Sequence, residues 1–235
     1  MKITILVLLF FAPLFVWSQD NDVTVNKETV SDYKANGGEK TLELQFEPFG
    51  NNPIGLNGIR ARWFSTSSSA FRLNLFLGIN TDSQITQQED TDNNLKELRD
   101  KFFTFSINVR PGFEKHLKGT ERLSPYFGVE GDLAYQTSSS RSENQNGTDV
   151  NYFKTINDNG FFRIGANAIA GLDYYITKKL YLGTEFGFGL SFTKLLAIKV
   201  KSDATGFTEP EPAKRGSSFD LGPNVNAQIR LGYAF

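Results

Sequence analysis

Cysteine is absent from the 235 residues, and histidine and methionine occur once each. No disulfide framework, thiol nucleophile or Cys/His metal site can be assembled, and nucleophilic triad chemistry has only one imidazole, His116, to draw on. Net charge is also nearly absent. Lys and Arg total 25 against 26 Asp and Glu, which removes the electrostatic footprint of a nucleic-acid binder. A mean hydropathy of -0.33 with 39% hydrophobic residues excludes a bundle of transmembrane helices. What is plentiful is Phe, at 22, and Gly, at 21, and an aromatic content of 14% argues against disorder.

The N-terminus has the order of an export signal. Met1 and Lys2 make a short positive start, residues 3–17 are almost continuously apolar, and Val16-Trp17-Ser18 offers small residues where a signal peptidase reads. A membrane anchor would need about 20 apolar residues, and this run is shorter and interrupted by Pro13. Cleavage is expected near Ser18, and Gln19 rather than Cys follows, so no lipid is attached there. An exported chain without disulfides must draw stability from elsewhere, such as a closed sheet with no free edge. Residues 19–39 are polar and aperiodic and read as a flexible periplasmic leader; residues 40–235 read as the folded domain.

After Lys40 the hydrophobic period becomes two. Leu42, Leu44 and Phe46 alternate with Glu43, Gln45 and Glu47, the pattern of a strand with one apolar and one polar face. Similar alternation recurs over 59–63, 71–79, 103–109, 125–135, 162–172, 180–192 and 225–235. Eight strands of about nine to eleven residues suit a tilted crossing of a bilayer. The fold expected is all-β: an eight-stranded antiparallel up-and-down transmembrane β-barrel.

Period two alone does not separate a membrane barrel, apolar outside, from a soluble barrel of lipocalin type, apolar inside. Lysine breaks the tie. All Lys lie in the signal, the leader, the loops or the strand ends, whereas Arg60, Arg62, Arg72, Arg110, Arg163 and Arg230 sit inside strands on the polar face. A water-exposed face favours Lys; a planar donor fork is preferred where charges must pair in a confined space. The polar face is therefore read as the lumen. It also carries Glu43, Glu47, Glu130, Asp132, Asp173 and Glu185, so a paired lumen network is expected, with Glu43 or Glu47 bound to Arg60, Arg62 or Arg230. Glu114 and Asp220 are placed nearer the ends.

Connections at 50–55, 80–100, 136–160 and 193–217 are expected outside the cell, and shorter turns at 65–70, 114–124 and 175–179 in the periplasm. Trp63, Phe71, Phe113, Tyr174 and Tyr233 fall at the inner strand ends, and Phe103, Tyr135 and Phe192 at the outer ends, where interfacial girdles belong. The chain resembles the small eight-stranded outer-membrane barrels of OmpA/OmpX type and the outer membrane protein beta-barrel domain family. The most specific element is the last strand, NVNAQIRLGYAF, with Ile229, Leu231, Tyr233 and Phe235 at alternate positions. In the family such a strand is similar to the signal read by the barrel-assembly machinery. The resemblance covers 40–235 and implies residence among bacterial outer-membrane lipids. It implies no wall-binding domain of the kind OmpA carries.

Other candidates have plainer readings. Asp90, Asp92 and Asn94 open like a calcium loop, but Leu95 and Lys101 stand where Gly and Glu are required, so a solvated acidic loop is expected. Gly183, Gly187 and Gly189 share one strand face and read as lumen spacers, not as a phosphate cradle. Asn146-Gly147-Thr148 matches a glycosylation acceptor by chance in this setting. His116, flanked by Lys115 and Lys118, reads as an exposed turn residue without an orienting partner. Residues 195–201, LLAIKVK, can prolong a strand above the membrane and offer a free edge, or pack as a loop. No catalytic residue, cofactor or metal site is expected. The reading favoured is a non-enzymatic barrel with a side-chain-filled lumen, touching partners through 80–100, 136–160 and 193–217. A narrow conduit for small or apolar solutes is the alternative, and a lipid-modifying enzyme the least favoured.

Overall fold

The computed structural model describes residues 31–46, 56–89, 95–146 and 149–235. Among these residues there are ten strands and no helix: β1 (Lys40–Phe46), β2 (Leu56–Thr66), β3 (Ser69–Glu89), β4 (Leu95–His116), β5 (Leu123–Asn146), β6 (Asp149–Ile156), β7 (Phe161–Thr177), β8 (Leu180–Leu195), β9 (Lys199–Ser202) and β10 (Ser217–Ala234). All pairings are antiparallel. Eight strands close a ring in the order β1, β2, β3, β4, β5, β7, β8, β10, and β10 returns to β1 with Thr41 opposite Ala234 and Phe46 opposite Ile229. Closure leaves no edge within the ring.

Two further strands lie outside that ring of eight and were not expected from periodicity. β6 pairs with the upper part of β5, and β9 pairs with β6. The regions expected as long loops are largely sheet. β3 and β4 pair without interruption from Ser69 opposite Lys115 to Glu89 opposite Leu95, which absorbs most of 80–100. β5 and β6 absorb most of 136–160, and β9 with the bridge between Ile198 and Ala213 lies within 193–217. Residues 195–201 neither prolong β8 nor remain a loop throughout. That strand ends at Leu195, and β9 starts a separate strand on β6. The physical reason is that a ladder needs only backbone groups. Once a strand leaves the lipid both faces become polar, the alternation vanishes, and the pairing continues. Residues 50–55 and the acidic run 90–94 lie outside the described residues.

The faces are sorted with polar groups inside. Leu77 and Phe127 are 62% and 52% exposed on the outer wall, whereas Arg62 and Arg72 are wholly buried within it. That arrangement excludes the lipocalin-type alternative. Trp63, Phe71 and Phe113 touch in sequence around one rim, with ring centroids 5.6 and 5.4 Å apart. Phe103, Tyr135 and Phe192 are exposed toward the other rim. Phe113 and Phe103 are ten residues apart on β4, roughly 33 Å of strand and about 25 Å of height after tilting, the height of an outer-membrane apolar band.

The last part of the expected leader is not free. Ala35 is buried beside Phe64, Ala70 and Ala234 at the base of the ring, and its N–H donates to the Tyr175 hydroxyl at 3.2 Å. Arg122 lies over the Tyr33 ring at 4.5 Å. Lys179 Nζ meets both Glu39 oxygens at 2.7 and 2.8 Å and the Lys34 carbonyl at 2.8 Å. Burial raises the Glu39 carboxyl, but the hydrogen bonds from Lys179 and Asn36 and the Lys179 charge outweigh it and hold the group below its ordinary value. The segment 31–39 therefore closes the mouth from below.

Two inner tyrosines rest on glycines of the paired strand. Tyr126 is opposite Gly171 and Tyr181 opposite Gly232, and a Cβ at either glycine would enter the facing ring. An aromatic ring laid over a cross-strand glycine covers backbone that would otherwise lack a packing partner. Gly232→Val is expected to expel Tyr181 and prevent ring closure, so the fast-migrating band of unboiled folded protein on a detergent gel should disappear. Because the folded Glu39 pKa is lowered, its contribution is complete above the ordinary value of 4.5 and is lost as pH falls below it. Hydrogen-exchange protection of the Ala35 and Gly38 amides should then fall at acidic pH while that of the barrel ladder persists; equal loss in both would contradict the docking contact.

Candidate functional site

The strand pleat aims every second side chain of the eight ring strands into one narrow space. β1 contributes Glu43, β2 Arg60 and Arg62, β3 Arg72 and Asn74, β4 Glu114, β5 Tyr126 and Glu130, β7 Asp173, β8 Tyr181 and Glu185, and β10 Arg230. Arg62 is the hub. Its guanidinium is 2.6 Å from Glu43, 2.8 Å from Glu114 and 2.8 Å from Asp173, and it donates to the Tyr181 hydroxyl at 2.7 Å. Those contacts join β2 to β1, β4, β7 and β8 across the lumen. Arg230 holds Glu43 at 2.8 Å and Asp173 at 3.0 Å.

A second layer is built on Glu185. Arg60 approaches it with two nitrogens at 3.2 and 3.0 Å, and Arg72 with two at 2.7 and 2.9 Å; the Tyr126 hydroxyl donates to the same carboxylate. Arg72 also lies 3.3 Å from Glu114 and 3.1 Å from Glu130. Asn74 accepts from Arg60 and from Gln45, and donates to Glu130 at 2.9 Å. Bidentate pairing fixes direction as well as charge. Taking these ions from water costs several kcal/mol each, and the partners recover it only because nearly every fork is engaged.

Above this plug the lumen widens into a polar vestibule of about 380 Å³, bordered by Arg110, Asp132, Arg163, Asn167, Ser191 and Asp220. Arg163 Nε is 2.8 Å and Arg110 Nε 3.4 Å from Asp132, and Asn108 donates to the same carboxylate. Arg110 reaches down to Glu130 at 3.6 Å. Side-chain exposure of 15% for Arg110 and 29% for Arg163 marks these as the wet boundary of the network. Phe76 and Phe161 support the two guanidinium groups at 5.1 and 5.9 Å.

Among the charges expected in the lumen, the structure thus joins Glu43, Glu130, Asp173 and Glu185 to Arg60, Arg62, Arg72 and Arg230, and groups Arg110, Asp132 and Arg163 above them. Glu47 lies outside the described residues. Glu114 is corrected from the end of the strand to the centre of the plug, because strand tilt lifts it level with Arg62 and Arg72. His116 is likewise not an exposed turn residue. It is 5% exposed, packed between the tilted rings of Phe64 and Tyr126, with Nδ1 2.9 Å from the Ser124 hydroxyl and Nε2 3.1 Å from Glu114. Tyr126, Tyr181, Asn74 and Gln45 carry no charge to mark them in the sequence, although each keeps the inward parity of its strand. Ile229, Leu231, Tyr233 and Phe235 face outward on the terminal strand, and Phe235 exchanges two backbone hydrogen bonds of 2.9 Å with Lys40 at the seam.

Residues 50–207 match the OmpA-OmpF-like porin family. Among solved structures, CarO2 of Acinetobacter baumannii is similar over 86% of this chain and 100% of its own, with 9% identity and a TM-score of 0.35. A major outer membrane protein of Thermus thermophilus is similar over 84% of this chain and 99% of its own, with 11% identity and a TM-score of 0.29. Neither likeness is close enough to carry an inference. No curated protein sequence matches.

Replacing Arg62 by Met would leave Glu43, Glu114 and Asp173 facing one another without their shared cation. Breaking a buried ion pair from one side costs about 3 to 5 kcal/mol, and a loss of that size is expected in urea unfolding followed by Trp63 fluorescence. A change below about 1 kcal/mol would mean that the plug is hydrated and its pairs are weak.

Proposed function

The chain belongs to the OmpA-OmpF-like porin family and is a β-barrel protein of the bacterial outer membrane; on that premise we propose that eight strands cross the membrane around a closed lumen, and that the protein acts without catalysis through the sheet raised above it. The observation that carries the closed lumen is the burial of Arg60, Arg62, Arg72 and Arg230, each at most 2% exposed and all held by carboxylates. A barrel of this size is filled by its own side chains. The segment 31–39, docked beneath, adds a second closure.

In this reading residues 1–18 direct Sec-type export and are removed near Ser18. The short connections and the docked segment face the periplasm, and the extension made by β3 to β6 and β9 faces outward. Ile229, Leu231, Tyr233 and Phe235 present the terminal strand to the assembly machinery. Extracellular partners meet the surface formed by 80–100, 136–160 and 193–217.

A conduit is the second reading, and the vestibule of about 380 Å³ favours it. Catalysis has one chemical argument, the hydrogen-bonded series Ser124, His116 and Glu114, which has the order of nucleophile, base and orienter. Ser124 is only 4% exposed beneath the plug, so a substrate lacks access, and assays of lipid A and phospholipid turnover are expected to be negative.

Planar-bilayer recording separates the first two readings. The wild-type barrel should show no stable open level, and Arg62→Met should introduce leakage; a reproducible wild-type conductance would promote the conduit. An epitope inserted at Gly206, where φ is +81° and the surroundings are open, should bind antibody on intact cells. Binding only after permeabilisation would reverse the orientation. Deleting Phe235 should permit export yet remove the compact unboiled band from outer-membrane fractions. Persistence of that band would refute the role given to the terminal strand.

A further inference from the structure

Above the rim marked by Phe103 and Tyr135, the lipid-facing sides of β4 and β5 continue into the extension. Register places Lys101 opposite Arg141, Arg141 opposite Lys154, and Lys154 opposite Lys201. Four cations therefore stand in one row across four neighbouring strands. At a strand spacing near 4.8 Å the row is about 14 Å long, and on β4 it lies two residues, about 7 Å of strand, above Phe103. Lys101 shares the parity of Phe103 and Phe113, and Arg141 that of Tyr135 and Phe127, so the row faces the same way as the apolar wall.

Like charges placed directly opposite in a sheet are unfavourable, and the chain offsets this row only in part. Glu143 is 3.0 Å from Lys101 and 2.8 Å from Arg141, and Glu209 is 3.7 Å from Lys201. Lys154 has no carboxylate partner among the described residues. The side chains of Lys101, Arg141 and Lys201 are 42%, 38% and 45% exposed. A ligand for this strip must be anionic, must lie against the outer wall, and must extend upward from the rim, since on β5 the row stands six residues, about 20 Å of strand, above Tyr135.

We propose that the row formed by Lys101, Arg141, Lys154 and Lys201 binds the phosphorylated headgroup of an outer-leaflet lipid. Phosphate oxygens accept from several cations at once, and a lipid tail lies along the apolar wall below, which a soluble anion cannot do. Bound in this way the lipid neutralises the row and stiffens β6 and β9, which lie outside the ring. The proposal takes its choice of leaflet from the orientation given above; the binding itself does not depend on it.

The test uses the refolded full chain in a nonionic detergent, titrated with bisphosphorylated lipid A and read by native mass spectrometry. Retention of the lipid is expected to weaken about fivefold for each cation removed, so the double variant Lys154→Gln, Lys201→Gln should bind roughly 25-fold more weakly while keeping its compact unboiled band. Dephosphorylated lipid A should bind the wild type no better than the phosphorylated form binds that variant. Equal retention of the two lipids, or an unchanged double variant, would overturn the proposal. So would full competition by inorganic phosphate at matching concentration, which would assign the row to a free anion, or stronger binding of polyglutamate, which would assign it to an acidic protein. Because purified protein is used, a failure here leaves the orientation experiment at Gly206 unaffected.

Discussion

A guanidinium enclosed in a barrel of eight strands has to be paired. The lumen is too narrow for a hydration shell, and several charged forks must share it, so each needs carboxylates on strands other than its own. Arg62 meets this by touching residues from four other strands. The same contacts that satisfy the charge also cross-link the wall. Lysine could not do this equally well, since one ammonium offers no planar fork to divide among Glu43, Glu114 and Asp173.

Much else follows from that filling. Tyr126 and Tyr181 occupy the space between the forks and donate to Glu185 and Glu43, and their rings fit only because Gly171 and Gly232 stand opposite. Below the charges the requirement changes from pairing to exclusion of water. Ala35, Phe64, Ala70 and Ala234 supply a small apolar seal there, with His116 between Phe64 and Tyr126 joining the seal to the network. Above them the pressure relaxes, and Arg110 and Arg163 share Asp132 in partial contact with solvent. From base to mouth, the interior therefore passes from an apolar seal to a tight ionic plug to a wet vestibule.

The outer face answers to a different solvent. In the apolar band the alternation of side chains is enforced by lipid, and a single charge in that band is costly. Beyond the rim that constraint ends while the backbone ladder runs on, so β3, β4 and β5 reach 21, 22 and 24 residues. Freed from lipid, the outward parity takes up Lys101 and Arg141 where it had carried Phe103 and Tyr135.

By itself the sequence determined the facing of the strands and the closed, all-β character of the fold, because period two with Arg confined to one parity admits few other arrangements. The same parity also runs through Glu114, His116, Tyr126 and Tyr181, where the absence of charge on the tyrosines and the lysines beside His116 mask it. Tertiary structure decided the rest. Strand tilt set the height at which Glu114 meets Arg62 and Arg72, and height across a barrel depends on stagger, which no single segment encodes. The extra strands β6 and β9, the docking of 31–39 and the cation row were also decided there, since each depends on which backbone lies alongside which, and polar sequence outside the lipid leaves no periodic trace of its pairing.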